Sequence, residues 1–169
     1  MSTQVDTGRE FWRGVLVAGG STTIPEWTLE PVPGLADHTD TVPAHLVSAL
    51  RERSDEVGLP LRAVLLAAHA GVLAALSGER DVVTGYLTEG RADTGGAPLP
   101  CRLSTEADTW RALLVLTHRV ESRLLEHRDF PVAALRAELS LVGPSSQVEF
   151  GSSADVELSP GAVLRVSFD

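Results

Sequence analysis

LLAAHAGVLAALSGERDVVTGYLTEGR, residues Leu65 to Arg91, is the stretch from which the architecture follows. It completes a run, Leu61 to Leu76, that is apolar nearly all round and interrupted by Arg62 and His69. A helix of that composition belongs between other layers of a fold and not on a surface. Its charges and alanines make it a buried helix and not a membrane span. Ser77-Gly78 stops it, and Asp81 to Leu87 (DVVTGYL) is short, β-branched and flanked by turn residues, which predicts a strand. A helix therefore runs into a strand across a tight turn, and the glycine- and threonine-rich Thr88 to Pro98 predicts a loop.

The flanking segments extend this pattern. Toward the amino terminus, Arg9 to Val17 reads as a short amphipathic helix stopped by Gly19-Gly20, and Ser21 to Asp40 reads as connecting loop. Thr41 is placed to cap a helix that starts near Pro43 and lays Leu46, Val47, Leu50 and Val57 on one face. Toward the carboxyl terminus, Leu99 to Leu103 predicts a strand. Asp108 or Thr109 then caps a helix whose Leu113, Leu114, Thr117, Val120 and Leu124 share a face, with Arg119, Glu121, Arg123 and Glu126 around the rest. A further helix follows Pro131, with strands near Gln147 to Phe150 and Ala162 to Phe168. The fold class is α+β, a mixed sheet covered by helices, in one domain of 169 residues.

Composition excludes several functions. The net charge of −9 argues against nucleic acid, because phosphate binding needs clustered positive charge and the arginines here alternate with carboxylates. All 14 basic residues are arginine, as expected of a GC-rich, actinobacterial-type genome. Cys101 is the single cysteine, so neither an internal disulfide nor a cysteine-rich metal site is available. Met1 to Glu10 is polar and no signal peptide is evident, so the expectation is a cytoplasmic protein with no membrane contact.

The five histidines are where catalysis would show itself, and none is paired with another. His38 lies in a polar loop beside Asp37 and Asp40, and His45 in a first helical turn. His118 lies on a helix surface. His69, inside the apolar helix, reads as a neutral imidazole bonded to a backbone carbonyl. His127 has Asp129 two residues along, an arrangement that could orient a general base, although a role in ending the helix fits it better. Neither Ser77 nor Ser152 stands in a nucleophile elbow, and the glycine-rich phosphate-binding patterns are absent. Arg102 beside Cys101 could lower its pKa, but a lone strand cysteine is usually inert.

Several of these segments together resemble a known family. Leu65 to Arg91 is similar to the helix, strand and loop of nonribosomal peptide synthetase condensation domains, and His127-Arg128-Asp129-Phe130-Pro131 resembles their His-Gln-Asp-Tyr-Pro motif. Phe11-Trp12 with Leu16 resembles the segment that opens their second lobe. Gln147 to Phe150 and Val163 to Asp169 resemble their late strands. The resemblance implies a single lobe similar to chloramphenicol acetyltransferase, the C-terminal one of two. The other lobe carries His-His-x-x-x-Asp-Gly, and this sequence holds no His-His pair. Two further motifs depart from the family: Gly95 to Arg102 lacks the family's asparagine, and an arginine-rich motif is reduced to Gly143-Pro144-Ser145-Ser146.

The resemblance therefore implies a truncated condensation-type domain over residues 1–169, continued in the natural protein by an adenylation domain. Such a lobe has no catalytic, cofactor-binding or metal-binding residues of its own and serves as a remnant or interface, docking adenylation or carrier domains. The alternative is an acyl or peptidyl transferase completed by a partner chain or lobe in trans. An independent binding module, offering an acidic surface and Trp27, is a third reading, and a second copy of the chain is a further candidate partner. The apolar residues near both ends, Phe11, Trp12 and Val163 to Phe168, place the contact on the carboxyl-terminal side.

Overall fold

The structure is a computed structural model that describes residues 2–25, 30, 32, 34–88, 97–144, 146–152 and 157–168, with side chains from residue 7 onward. In chain order the elements are α1 (Ser2–Val17), α2 (Ala44–Val57), α3 (Leu61–Ser77), β1 (Asp81–Tyr86), β2 (Leu99–Ser104), α4 (Trp110–Glu126), α5 (Val132–Glu138), β3 (Val148–Gly151) and β4 (Leu164–Ser167). The α+β expectation holds. Gly78, at φ 75°, closes α3 by donating its N–H to the Ala74 carbonyl at 2.9 Å, a left-handed cap for which glycine is suited.

The sheet is mixed, in the order β2-β1-β3-β4. β1 and β2 are antiparallel, with Val82 opposite Leu103, Thr84 opposite Cys101 and Tyr86 opposite Leu99. β3 runs parallel to both β1 and β4, with Tyr86 beside Phe150, Val148 beside Leu164 and Phe150 beside Val166. Paired residues share a face of a sheet, so this register separates two surfaces. One is apolar: Val82, Tyr86, Leu99, Cys101, Leu103, Val148 and Phe150, buried beneath the helices with Trp12, Leu66, Ala70, Leu73, Leu124, Val132 and Leu135. The opposite face carries Asp81, Arg102, Glu149 and Arg165. There Arg102 pairs with Asp81 at 3.3 Å and Arg165 with Glu149 at 2.8 Å. A second apolar cluster of Val64, Ala67, Leu113 and Leu114, with Leu50 and Val57 against it, seats α2.

Four local expectations need correction. The first helix begins at Ser2, well before Arg9. Thr41 does not cap α2; Pro43 occupies that position without a side-chain bond, and the Thr41 N–H donates to Asp40 Oδ1 at 2.7 Å. Leu46 lies off the core face and is exposed, whereas Leu50 and Val57 pack as expected. Helix α3 is largely buried but not all round: Ala68, Val72 and Ala75 form an outward stripe, with Val72 57% exposed.

Candidate functional site

The corner after α4 is where the sequence placed its strongest motif, and local packing explains its shape. Thr109 caps the start of α4 by accepting from the Ala112 N–H at 3.1 Å, and His127 terminates the helix. The His127 carbonyl accepts from Trp12 Nε1 at 2.9 Å, and its ring lies tilted against Phe11 with centroids 4.7 Å apart. Gly8 lets α1 approach the same corner, since a Cβ there would meet Phe130 at 3.2 Å. His127 is thus a helix-ending residue held by aromatic packing. Asp129, the candidate orienting carboxylate, is 96% exposed and lies toward Arg128, with 4.0 Å between Nε and Oδ1. The two do not form a base and its orienter.

His69 is buried, and its Nε2 lies 3.1 Å from Thr84 Oγ1, which in turn donates to the Val148 carbonyl at 3.1 Å. The partner is a hydroxyl and not the backbone carbonyl expected, but the neutral state is as expected: burial lowers the His69 pKa to about 4. This short chain of bonds ties α3 to β1 and β3. His38 and His45 are exposed, on the loop before α2 and on its first turn. Cys101 is fully buried in β2, and burial pushes its thiol pKa well up, so Arg102 next to it does not activate it.

The residue that sequence reasoning missed is Glu121. Placed there among the surface charges of α4, it is 1% exposed and sits over the apolar sheet face. Tyr86 donates its hydroxyl to Glu121 Oε1 at 2.5 Å, and Arg62 Nε donates to the same oxygen at 2.7 Å. The Arg62 guanidinium also lies over the Tyr86 ring, 5.7 Å from its centroid. His118 Nδ1 approaches Glu121 Oε2 at 3.7 Å. Burial, reinforced by the hydrogen bond and charge of Glu121, raises the Tyr86 pKa. The signal was available in the spacing, because Glu121 follows Thr117 by four residues and precedes Leu124 by three, on the face that turned out buried. This cluster ties α3, α4 and β1 together and satisfies its charges internally.

On the polar face, Gly20, Ser21 and Thr22 overlie β1 and leave a shallow cleft of about 380 Å³ with Glu79, Arg80, Asp81 and Arg102. Arg102 is committed there to the Gly19 carbonyl at 2.7 Å and to Asp81, and Thr22 Oγ1 accepts from the Val83 N–H at 2.8 Å. Among the described residues no group of three or more His, Cys, Asp or Glu is placed to hold a metal ion. Among the described residues no single helix is long and apolar enough to cross a membrane. Trp27, Gly95, Gly96 and Ser145, which entered the sequence reading, lie outside the described residues.

Solved structures similar to this chain include condensation domains. The first condensation domain of the calcium-dependent antibiotic synthetase, solved with a substrate analogue, matches over 91% of this chain at a TM-score of 0.65 and 22% identity. The chain has the fold of one part of a condensation domain. The X-domain from teicoplanin biosynthesis, in its complex with OxyB, matches this condensation-type fold over 90% of the chain, at a TM-score of 0.65 and 22% identity. A curated relative, the AMB antimetabolite synthetase AmbE of Pseudomonas aeruginosa, is 40% identical over 126 aligned residues, which take in 63% of this chain. The chain spans 6% of AmbE and 38% of each of those two solved chains. No family model matches the chain.

Proposed function

We propose that this chain is the C-terminal lobe of a condensation-type domain in a nonribosomal peptide synthetase, where it acts as a non-catalytic interface for neighbouring adenylation or carrier domains. The observation that carries the reading is the state of His127. The one histidine standing in a family-like motif closes α4 and packs on Phe11, and the sequence holds no His-His pair to serve as base. The likeness to an X-domain solved in complex with OxyB supports a recruiting role for such a fold. In this reading the protein is cytoplasmic, continues into an adenylation domain, and has no catalytic, cofactor or metal residues of its own.

The competing reading, a transferase completed in trans, draws on the likeness to a condensation domain solved with a substrate analogue. An amide-forming assay with carrier-bound donor and acceptor separates the two. The purified chain is expected to form no product above background. Turnover that His127→Ala abolishes would refute the interface reading and install the transferase.

A further inference from the structure

The charged face of the sheet has an apolar spot. Register sets Val83 opposite Arg102 and Gly85 opposite Pro100, which puts Val83 and Pro100 on that face, and both are buried. They floor an open groove of about 290 Å³. One wall is the carboxyl end of α1, with Val15 and Leu16, and the other is the loop after α5, with Leu141 and Pro144. Both walls are pinned. Arg102 Nη1 donates to the Ala18 and Gly19 carbonyls at 3.2 and 2.7 Å, and Arg136 Nη2 donates to the Gly143 carbonyl at 2.9 Å. The Leu141 N–H donates to the Arg136 carbonyl at 3.0 Å, and Pro144 lies against Gly161, where an added Cβ would meet the proline Cβ at 2.6 Å. Arg102 and Arg136 are the charged groups of this lining, and among the described residues no carboxylate joins them there. The two are not equivalent. Arg102 is paired with Asp81 at 3.3 Å, whereas the half-buried Arg136 side chain has, among the described residues, only the neutral Gly143 carbonyl as partner. A guanidinium carries five N–H donors, so most of that fork stays available.

We infer that this groove binds a small monocarboxylic acid with an apolar body, its carboxylate on the Arg136 guanidinium and its body over Val83 and Pro100. The class of ligand follows from the lining. Ligand sites are mostly apolar, with a few polar groups that fix orientation, and here the walls are apolar around one guanidinium that no carboxylate neutralises. The planar fork of a guanidinium matches a carboxylate, which it holds by two parallel bonds. One uncompensated cation balances one negative charge, and a dianionic phosphate would bring a second into a chain of net charge −9. At the ~30 Å³ that a water takes up in the liquid, the groove has room for about ten non-hydrogen atoms, the size of an arylalkanoic acid. Because hydrogen bonds within the chain already hold both walls, little ordering opposes binding. The groove does not depend on the interface reading.

The test is isothermal titration calorimetry of the 169-residue chain with 4-phenylbutanoate, and with 4-phenylbutan-1-ol, 4-phenylbutan-1-amine and phenyl phosphate as comparisons. The carboxylate should bind saturably, at least ten-fold tighter than each of the other three. Arg136→Gln, which removes the cation, and Leu141→Asp, which sets a negative charge in the exposed wall, should each weaken it at least ten-fold. Arg119→Gln, on the exposed side of α4 and outside the groove, should leave the affinity unchanged. Thermal midpoints show whether the variants fold. Should Arg136→Gln loosen the loop it pins, Leu141→Asp carries the test. No saturable binding, or binding indifferent to both groove substitutions, overturns the inference. So does an alcohol or amine that binds as tightly as the acid, or an equal loss in Arg119→Gln, which would make the effect one of overall charge. Tighter binding of phenyl phosphate overturns it by giving the groove to phosphate esters. None of these results bears on amide formation, so the groove and the non-catalytic reading can fail separately.

Discussion

Replacing His69 by leucine should flatten the acid limb of the stability curve. In the folded chain the imidazole is held neutral by burial, with its pKa lowered from 6.5 to about 4. Because the folded state binds the proton less readily than the unfolded one, its contribution is fully present above pH 6.5. It is lost as pH falls from 6.5 through 4. At ~1.4 kcal/mol for each pH unit of displacement, the loss reaches about 3 kcal/mol by pH 4. That is a large share of the ~5–15 kcal/mol that holds a domain of this kind together. His69→Leu keeps the volume and the contact with Phe150 but removes the titration. It also forfeits the bond to Thr84 Oγ1, a hydroxyl that still donates to the Val148 carbonyl. The variant should therefore be about 1 kcal/mol less stable than the parent at pH 7.5. The ordering should reverse at about pH 6. Urea midpoints at pH 7.5, 6.0, 5.0 and 4.5 measure this directly, with carboxylate titration common to both proteins cancelling in the difference. Parallel curves across that range would refute the argument, because they would mean that His69 is not kept neutral by the fold.

Glu121→Gln should cost about 2–3 kcal/mol, from a weakened Tyr86 bond and a lost charge partner for Arg62, which is one-third exposed and so recovers part of the loss in water. Chemical denaturation measures the cost, and a change under 1 kcal/mol would show the cluster to be energetically idle. Gly151→Ala should cost about 2 kcal/mol or more, because φ is 156° and a Cβ would lie 2.7 Å from the Leu87 carbonyl oxygen. A neutral thermal midpoint for that variant would contradict the approach of β3 to the end of β1.

Much of the architecture was legible because its signals are local. The apolar run into Ser77-Gly78, the β-branched DVVTGYL and the hydroxyl before α4 each specify an element without reference to the rest of the chain. What failed was non-local. Thr41 has the chemistry of a cap, but its N–H is taken by the neighbouring Asp40 and α2 starts after a proline instead. Glu121 looks like a surface charge until Arg62, 59 residues away, and Tyr86, 35 residues away, are brought against it. His127 and Asp129 are close in sequence but point apart, since one faces Phe11 and the other faces solvent.

The end-of-chain apolar residues divide in the same way, and their division supports the functional reading. The sequence alone groups Phe11 and Trp12 with Val163 to Phe168 as apolar residues that need cover. Trp12 is fully buried by the chain's own α4 corner, donating its N–H to the His127 carbonyl, and Phe11 packs beside it. That end of the lobe is closed, and the family-like motif at His127 is the means of its closure. At the other end Leu164 and Val166 remain open on the apolar face, because the described connection between β3 and β4 contacts the opposite one. At one end, then, the His127 ring is engaged in packing against Phe11, and at the other two apolar side chains of β4 stay half-exposed beside a buried β3.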